Sequence, residues 1–338
     1  MAVRRLSVYG LDGALTDLEI GSEETIGDAL KLLVPPEELT FWYLLDGTNI
    51  LPDDISVSDA KLEEGVVLQL VRGKCKNVVA CSGRVRAEKS EGQPYVAVVP
   101  NSETSIGDTA FRCCRCLIEV QIPDSVTSIG REAFGSCSSL TSVHIPGSVK
   151  VLDAYAFYAC TSMTEVQIPD SVTRISHGTF KGCTSLLEVQ IPNSVGSIGP
   201  HAFSGCAALT EVHIPNSVKS IGYGAFRDCT ALTEVQIPNS VTHIGARAFE
   251  GCTSLTAVQI PNSVTGIGNA AFFGCTSLTA VHIPNSVTSI DRFAFYGCQS
   301  LTEVHLPNSV RSIGYRAFEA CSSLAGLQIP SSVTSIGE

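Results

Sequence analysis

Apolar and polar positions alternate with two different rhythms along this chain, and the change of rhythm divides it. From residue 94 onward a 23-residue pattern returns with leucine or methionine at Leu117, Leu140, Met163, Leu186, Leu209, Leu232, Leu255, Leu278, Leu301 and Leu324. In the unit that starts at Leu232, Val235 and Ile237 alternate with Glu234 and Gln236, which predicts a short strand with one buried face. Pro238 ends that strand because it has no ladder donor. Asn239 and Ser240 begin a turn, and Val241 and Ile244 point inward again. Gly245 is expected to make a tight corner, followed by a short helical or 3₁₀ turn that buries Ala248 and Phe249. Cys252 and the next leucine complete the ring of inward groups.

A weaker copy begins at Pro94, so the array holds ten 23-residue repeats over 94–323 and a partial one over 324–338. A fixed period of this length is the signature of a solenoid, in which each unit buries its core only against its neighbours. The motif, a strand ending in I-P followed by S-I-G-x-x-A-F-x-x-C, resembles the BspA-like leucine-rich repeats. That resemblance implies a leucine-rich-repeat solenoid over residues 94–338 with a parallel β-sheet on its concave side. It also implies protein binding, since many such proteins are microbial surface proteins that bind other proteins.

The first 73 residues lack the repeat. Leu6–Tyr9 and Leu15–Ile20 alternate around a Gly-Leu-Asp-Gly turn, which predicts a hairpin. Ser22–Thr25 looks like a helix start, Ile26, Ala29, Leu30 and Leu33 keep helical spacing, and Pro35-Pro36 stops it. Further strands are expected around Phe41–Leu45 and Val66–Arg72. The order, with LLDG before the middle loop and LQLVRG at the end, resembles the ubiquitin-like β-grasp. The whole chain is therefore expected to be α+β: a ubiquitin-like domain over 1–73, a linker or N-terminal cap over 74–93, and the solenoid. The resemblance places Leu11, Leu44 and Val71 in an exposed apolar recognition patch, with Trp42 beside Leu44. It implies docking and not conjugation, because the strand ends Arg72-Gly73-Lys74 and the chain runs on.

Charge narrows the function classes. The formal net charge is −11, concentrated in residues 1–73, while the short segment from Lys74 to Lys89 is locally basic. No basic face of the size that nucleic acid needs is visible. No apolar run approaches the roughly 18 residues of a membrane helix, and no apolar segment follows the first arginines as a signal peptide requires. A cytoplasmic location with no membrane or nucleic-acid partner is the expectation.

Ten of the 14 cysteines fall at one position of the repeat. They are expected to form a reduced, buried column, with disulfides between successive units as the rival. Cys75, Cys81, Cys113 and Cys116 could hold a zinc ion, but a cap with ordinary thiols fits the loose spacing better. No cofactor is implied. No G-x-S-x-G, P-loop or H-E-x-x-H motif occurs, so the chain does not read as an enzyme.

Two polar columns remain on the sheet face. Glu165, Glu188, Glu211 and Glu234 stack in one; Gln190, His213 and Gln236 stand in the next, which also carries His282 and His305. Like charges about 5 Å apart repel by roughly 0.8 kcal/mol even at water's dielectric, which a basic protein partner would relieve. Duplication of a tolerable solvated residue explains the column equally. The function expected is a non-enzymatic protein-binding scaffold. The alternatives are an adaptor in ubiquitin–proteasome traffic and an adhesive cell-surface protein.

Overall fold

A computed structural model describes residues 94–99 and 101–337 in full and, within the first 93, the backbone of five strands. These are β1 (Val3–Tyr9), β2 (Leu15–Gly21), β3 (Trp42–Asp46), β4 (Asn49–Ile50) and β5 (Val67–Arg72). They form one mixed sheet in the order β2-β1-β5-β3-β4, with β1 and β5 parallel at its centre. The helix expected after Ser22 and the linker at 74–93 lie outside the described residues.

The array is a parallel β-solenoid with one coil per repeat. One sheet stacks the triplets Glu188–Gln190, Glu211–His213, Glu234–Gln236, Ala257–Gln259, Ala280–His282 and Glu303–His305 in parallel. Towards the N-terminus it is continued by single bridges, His144 to Gln167 and Gln167 to Gln190. A second sheet stacks the two-residue strands that end in isoleucine, from Arg174–Ile175 to Ser335–Ile336. The register never slips between these coils because each presents the same inward set. In the Leu232 coil, Val235, Ile237, Val241, Ile244, Ala248, Phe249 and Cys252 are all buried.

The α+β expectation is overturned. Among the described residues there is no helix, and the array is β-solenoid throughout. The segment expected to be helical is a non-helical arc, for two reasons. First, two residues of each coil are left-handed, for example Arg247 at φ 59° and Gly251 at φ 73°. An α-helix of L-residues cannot pass through such positions. Second, alternate N–H groups bond the next coil instead of the fourth residue back. Those of Arg247, Phe249 and Gly251 donate to the carbonyls of Asn269, Ala271 and Phe273 at 2.8 Å. The N–H groups between them close local turns, as Ala248 does to Gly245 at 3.2 Å. Backbone bonding thus satisfies this side of the coil as a third seam.

Gly245 also has a different reason from the tight corner expected. A Cβ there would lie 2.6 Å from the carbonyl carbon of Gly222, so glycine permits the close approach of adjacent coils.

Inside the array the phenylalanines from Phe111 to Phe318 form one stack. Neighbouring ring centroids lie 5.0–5.6 Å apart with planes within 10°. Offset stacking at such distances adds to the burial of the rings. Beside it runs the cysteine column, free thiols throughout. Each thiol from Cys137 to Cys321 donates to a phenylalanine carbonyl 26 residues earlier, as Cys252 Sγ does to Phe226 O at 3.2 Å. The sulfur therefore latches each coil to the one before it while filling space as a small apolar group.

Candidate functional site: two polar columns and the groove beside them

The strand period that buries Val189, Val212 and Val235 turns their neighbours outward, and all the flanking residues are exposed. Cα register pairs Glu188 with Glu211 and Glu211 with Glu234, then Glu234 with Ala257. In the second column Gln190 pairs with His213, His213 with Gln236, and Gln236 with Gln259. Glu165 is exposed one coil earlier, next to the Gln167 bridge. The seven array residues expected to form a polar face are therefore brought together on one face. They do little for each other. The one bond among them is from Gln236 Nε2 to Glu234 Oε1, at 3.5 Å.

His282 and His305 are paired in register with Glu303 beside them, but among the described residues no cluster of three metal-ligating side chains occurs. Cys113 and Cys116 are half-buried free thiols; Cys75 and Cys81 lie outside the described residues.

Leu11 also lies outside the described residues. On the N-terminal sheet, register sets Leu44 opposite Leu70, Val71 opposite Tyr43 and Trp42 opposite Arg72.

Next to the glutamine–histidine column the chain continues Ile-Pro-Asn, and these residues shape a trough that sequence reasoning missed. One stretch of about 660 Å³ runs from His144 to His213, with Pro169, Pro192, Asp170 and Asn193 in its lining. The next, of about 680 Å³, runs from His213 to His282, with Gln236, Gln259, Pro238, Pro261, Asn239 and Asn262. The two meet at His213. The signal was present in the sequence: the asparagines at this position were read as turn formers only.

On the far side of the coil each arc opens with a residue pair that differs from repeat to repeat, such as Ala154-Tyr155 and Ala246-Arg247. The second member of each is left-handed, including Glu132, Tyr155, His201, Arg247 and Phe293. Several make contacts across coils. Tyr155 Oη lies 2.8 Å from His177 Nε2, and the ring of His201 sits 5.7 Å from that of His177. Burial lowers the His201 pKa, with Lys181, His177 and Arg227 adding to the effect. Arg227 pairs with Glu250 at 3.2 Å.

Burial also governs the thiols: it pushes Cys183 up to about 12 and raises Cys206, Cys229, Cys252 and Cys275 well above the usual range. None of these is a nucleophile at neutral pH. Among the described residues no helix is long and apolar enough to cross a membrane.

Comparison with known proteins supplies the family. A leucine-rich repeat protein of Bacteroides ovatus has a similar structure, with TM-score 0.53 and 28% identity over 77% of this chain and 88% of its own. The Treponema (T. pallidum) leucine-rich repeat protein is 32% identical over 48% of this chain and 78% of its own, with TM-score 0.45. A leucine-rich repeat protein of Eubacterium ventriosum is 24% identical over 72% and 80%, with TM-score 0.47. No curated protein sequence matches the chain. The model of the BspA type leucine rich repeat region, in six copies, matches residues 104–233 and 219–338. With its 23-residue coils, its phenylalanine stack and these matches over most of its length, the chain belongs to the BspA-type leucine-rich repeat family.

Proposed function

We propose that the chain is a non-enzymatic scaffold that binds a protein partner on the strand face carrying Glu165, Glu188, Glu211 and Glu234. The observation that carries this reading is the register of those carboxylates. Glu188, Glu211 and Glu234 stand directly above one another, exposed, with no cation from the array paired to them. Like charges in register destabilise a sheet, and a basic surface laid across them removes that repulsion and gains from it. The polar residues of the neighbouring column, Gln190, His213 and Gln236, add hydrogen-bonding groups without charge of the same sign.

The N-terminal segment is a second docking element in this proposal, a ubiquitin-like head. Its motifs and the β2-β1-β5-β3-β4 order, with parallel first and last strands, support it. An adaptor role in ubiquitin–proteasome traffic has no such support. A cytoplasmic location belongs to the proposal as well; tags on the intact chain, followed by fractionation, test it, and surface-accessible protein would overturn it.

The binding reading is tested by proximity labelling of the intact chain and of a variant carrying Glu188→Lys, Glu211→Lys and Glu234→Lys. Loss of basic partners from the variant alone is expected. An unchanged partner set would sink the proposal.

A further inference from the structure

We propose that the trough beside the glutamine–histidine column binds a linear, uncharged glycan. The inference goes beyond protein docking and rests on the two rows of trough amides in the stretch from His213 to His282, of which only Gln236 is shared with the protein-binding face.

Four properties point to this ligand. Amides line the trough in two rows, Gln236 and Gln259 from the strands and Asn239 and Asn262 from the turns that follow. The side chains of Gln259, Asn239 and Asn262 make no hydrogen bond within the described residues, so the coil does not use them to hold itself together. Amides supply a donor and an acceptor each, the pairing that a hydroxyl-lined polymer requires on its edges.

The trough is also periodic. Its walls repeat once per coil, and hydrogen-bonded parallel strands such as these step by about 4.7–4.9 Å. A β-1,4-linked pyranose chain advances by a similar step per sugar and turns alternate rings over, which the two rows of amides accommodate. An extended peptide presents like groups every second residue, at about 6.6 Å, and falls out of step. Nor can a peptide add to this sheet midway, because the strands here are paired on both sides. Lastly, Glu234 and Asp170 in the lining disfavour phosphate polymers and acidic glycans.

The test is calorimetric titration of the intact chain with cellohexaose, chitohexaose and cellobiose. A hexasaccharide is expected to bind at least about tenfold more tightly than the disaccharide, since it spans several coils. The double variant Gln236→Ala/Gln259→Ala removes the amides of adjacent coils without touching the core and is expected to weaken binding by about tenfold. Arg247→Ala, on the far side of the same coil, is expected to change nothing. The proposal is overturned if neither hexasaccharide binds at millimolar concentration, if length has no effect, or if the double variant binds as the parent does. It is equally overturned if an extended Gly-Asn repeat peptide displaces the sugar at equal affinity. A Glu188→Lys/Glu211→Lys variant separates the two readings, because neither residue lines the trough and both amide rows stay intact.

Discussion

Ala159 and Gly205 occupy the same place in their coils, at the second left-handed position of the arc, with φ 54° and 76°. Both N–H groups donate to the next coil at 2.7 Å, Ala159 to Lys181 and Gly205 to Arg227. They differ in the side chain, and nothing crowds it: a Cβ on Gly205 would meet no atom closer than 3.7 Å. Backbone preference alone should therefore decide the outcome of exchanging them. Left-handed backbone costs an L-residue about 1–2 kcal/mol, and glycine gives back about 0.5–1 kcal/mol through the freedom of its unfolded chain. Ala159→Gly should then stabilise its coil by about 0.5–1 kcal/mol, and Gly205→Ala should destabilise its own by the same amount. Because a repeat array need not unfold in one step, the measurement is hydrogen exchange of the amides in those coils, backed by urea titration of the intact chain. Protection should rise roughly two- to fivefold in the first variant and fall in the second. Shifts of the same sign in both, or a loss of protection in Ala159→Gly, would refute the reasoning that strain at these positions is carried by the backbone.

Three further outcomes follow from the core and the sheet face. Phe249→Ala should cost about 3–5 kcal/mol, and the loss in exchange protection should be centred on the coils of Phe226, Phe249 and Phe272, whose rings it touches. Buried thiols should make the fold alkali-sensitive. The native pKa of Cys183 is raised, so its contribution is complete below the ordinary value of 9.0 and is lost as pH climbs towards about 12. Each such thiol should remove about 1.4 kcal/mol per pH unit in that window, which urea titrations above neutral pH check against a Cys183→Ala variant with a shallower slope. Glu211→Gln relieves two in-register neighbours and should raise stability by up to ~1.6 kcal/mol at low ionic strength, with the gain vanishing in molar salt; a salt-independent gain would mean that charge is not the cause.

The core was legible in the sequence because it obeys a period. Val235, Ile237, Val241, Ile244, Phe249 and Cys252 recur in every coil and are buried in the structure. The arc was not legible, because Ala248, Phe249 and Cys252 sit at spacings that suit a helical turn as well. What distinguishes the two is a left-handed residue at two places per coil. Glycine marks only some of them, as at Gly182, Gly205 and Gly251, while Cys113, Ala159 and Asp228 occupy the same position elsewhere. Their conformation is imposed by bonds to the next coil, which no local pattern records. The polar columns were legible, since strand alternation sets them outward. The trough was not, because its lining joins strand residues to those of the turn after them across adjacent coils, and no single repeat contains it.

The uniform seam between coils has a consequence for how such a molecule changes over generations. Every internal coil offers its successor the same phenylalanine face, the same carbonyl for a cysteine thiol and the same ladder of backbone groups. Unequal recombination between two repeats therefore adds or removes a whole coil without creating an unmatched junction. Gene copies of different lengths would all fold, and selection would act on the extent of the exposed columns instead of on the repair of a damaged core.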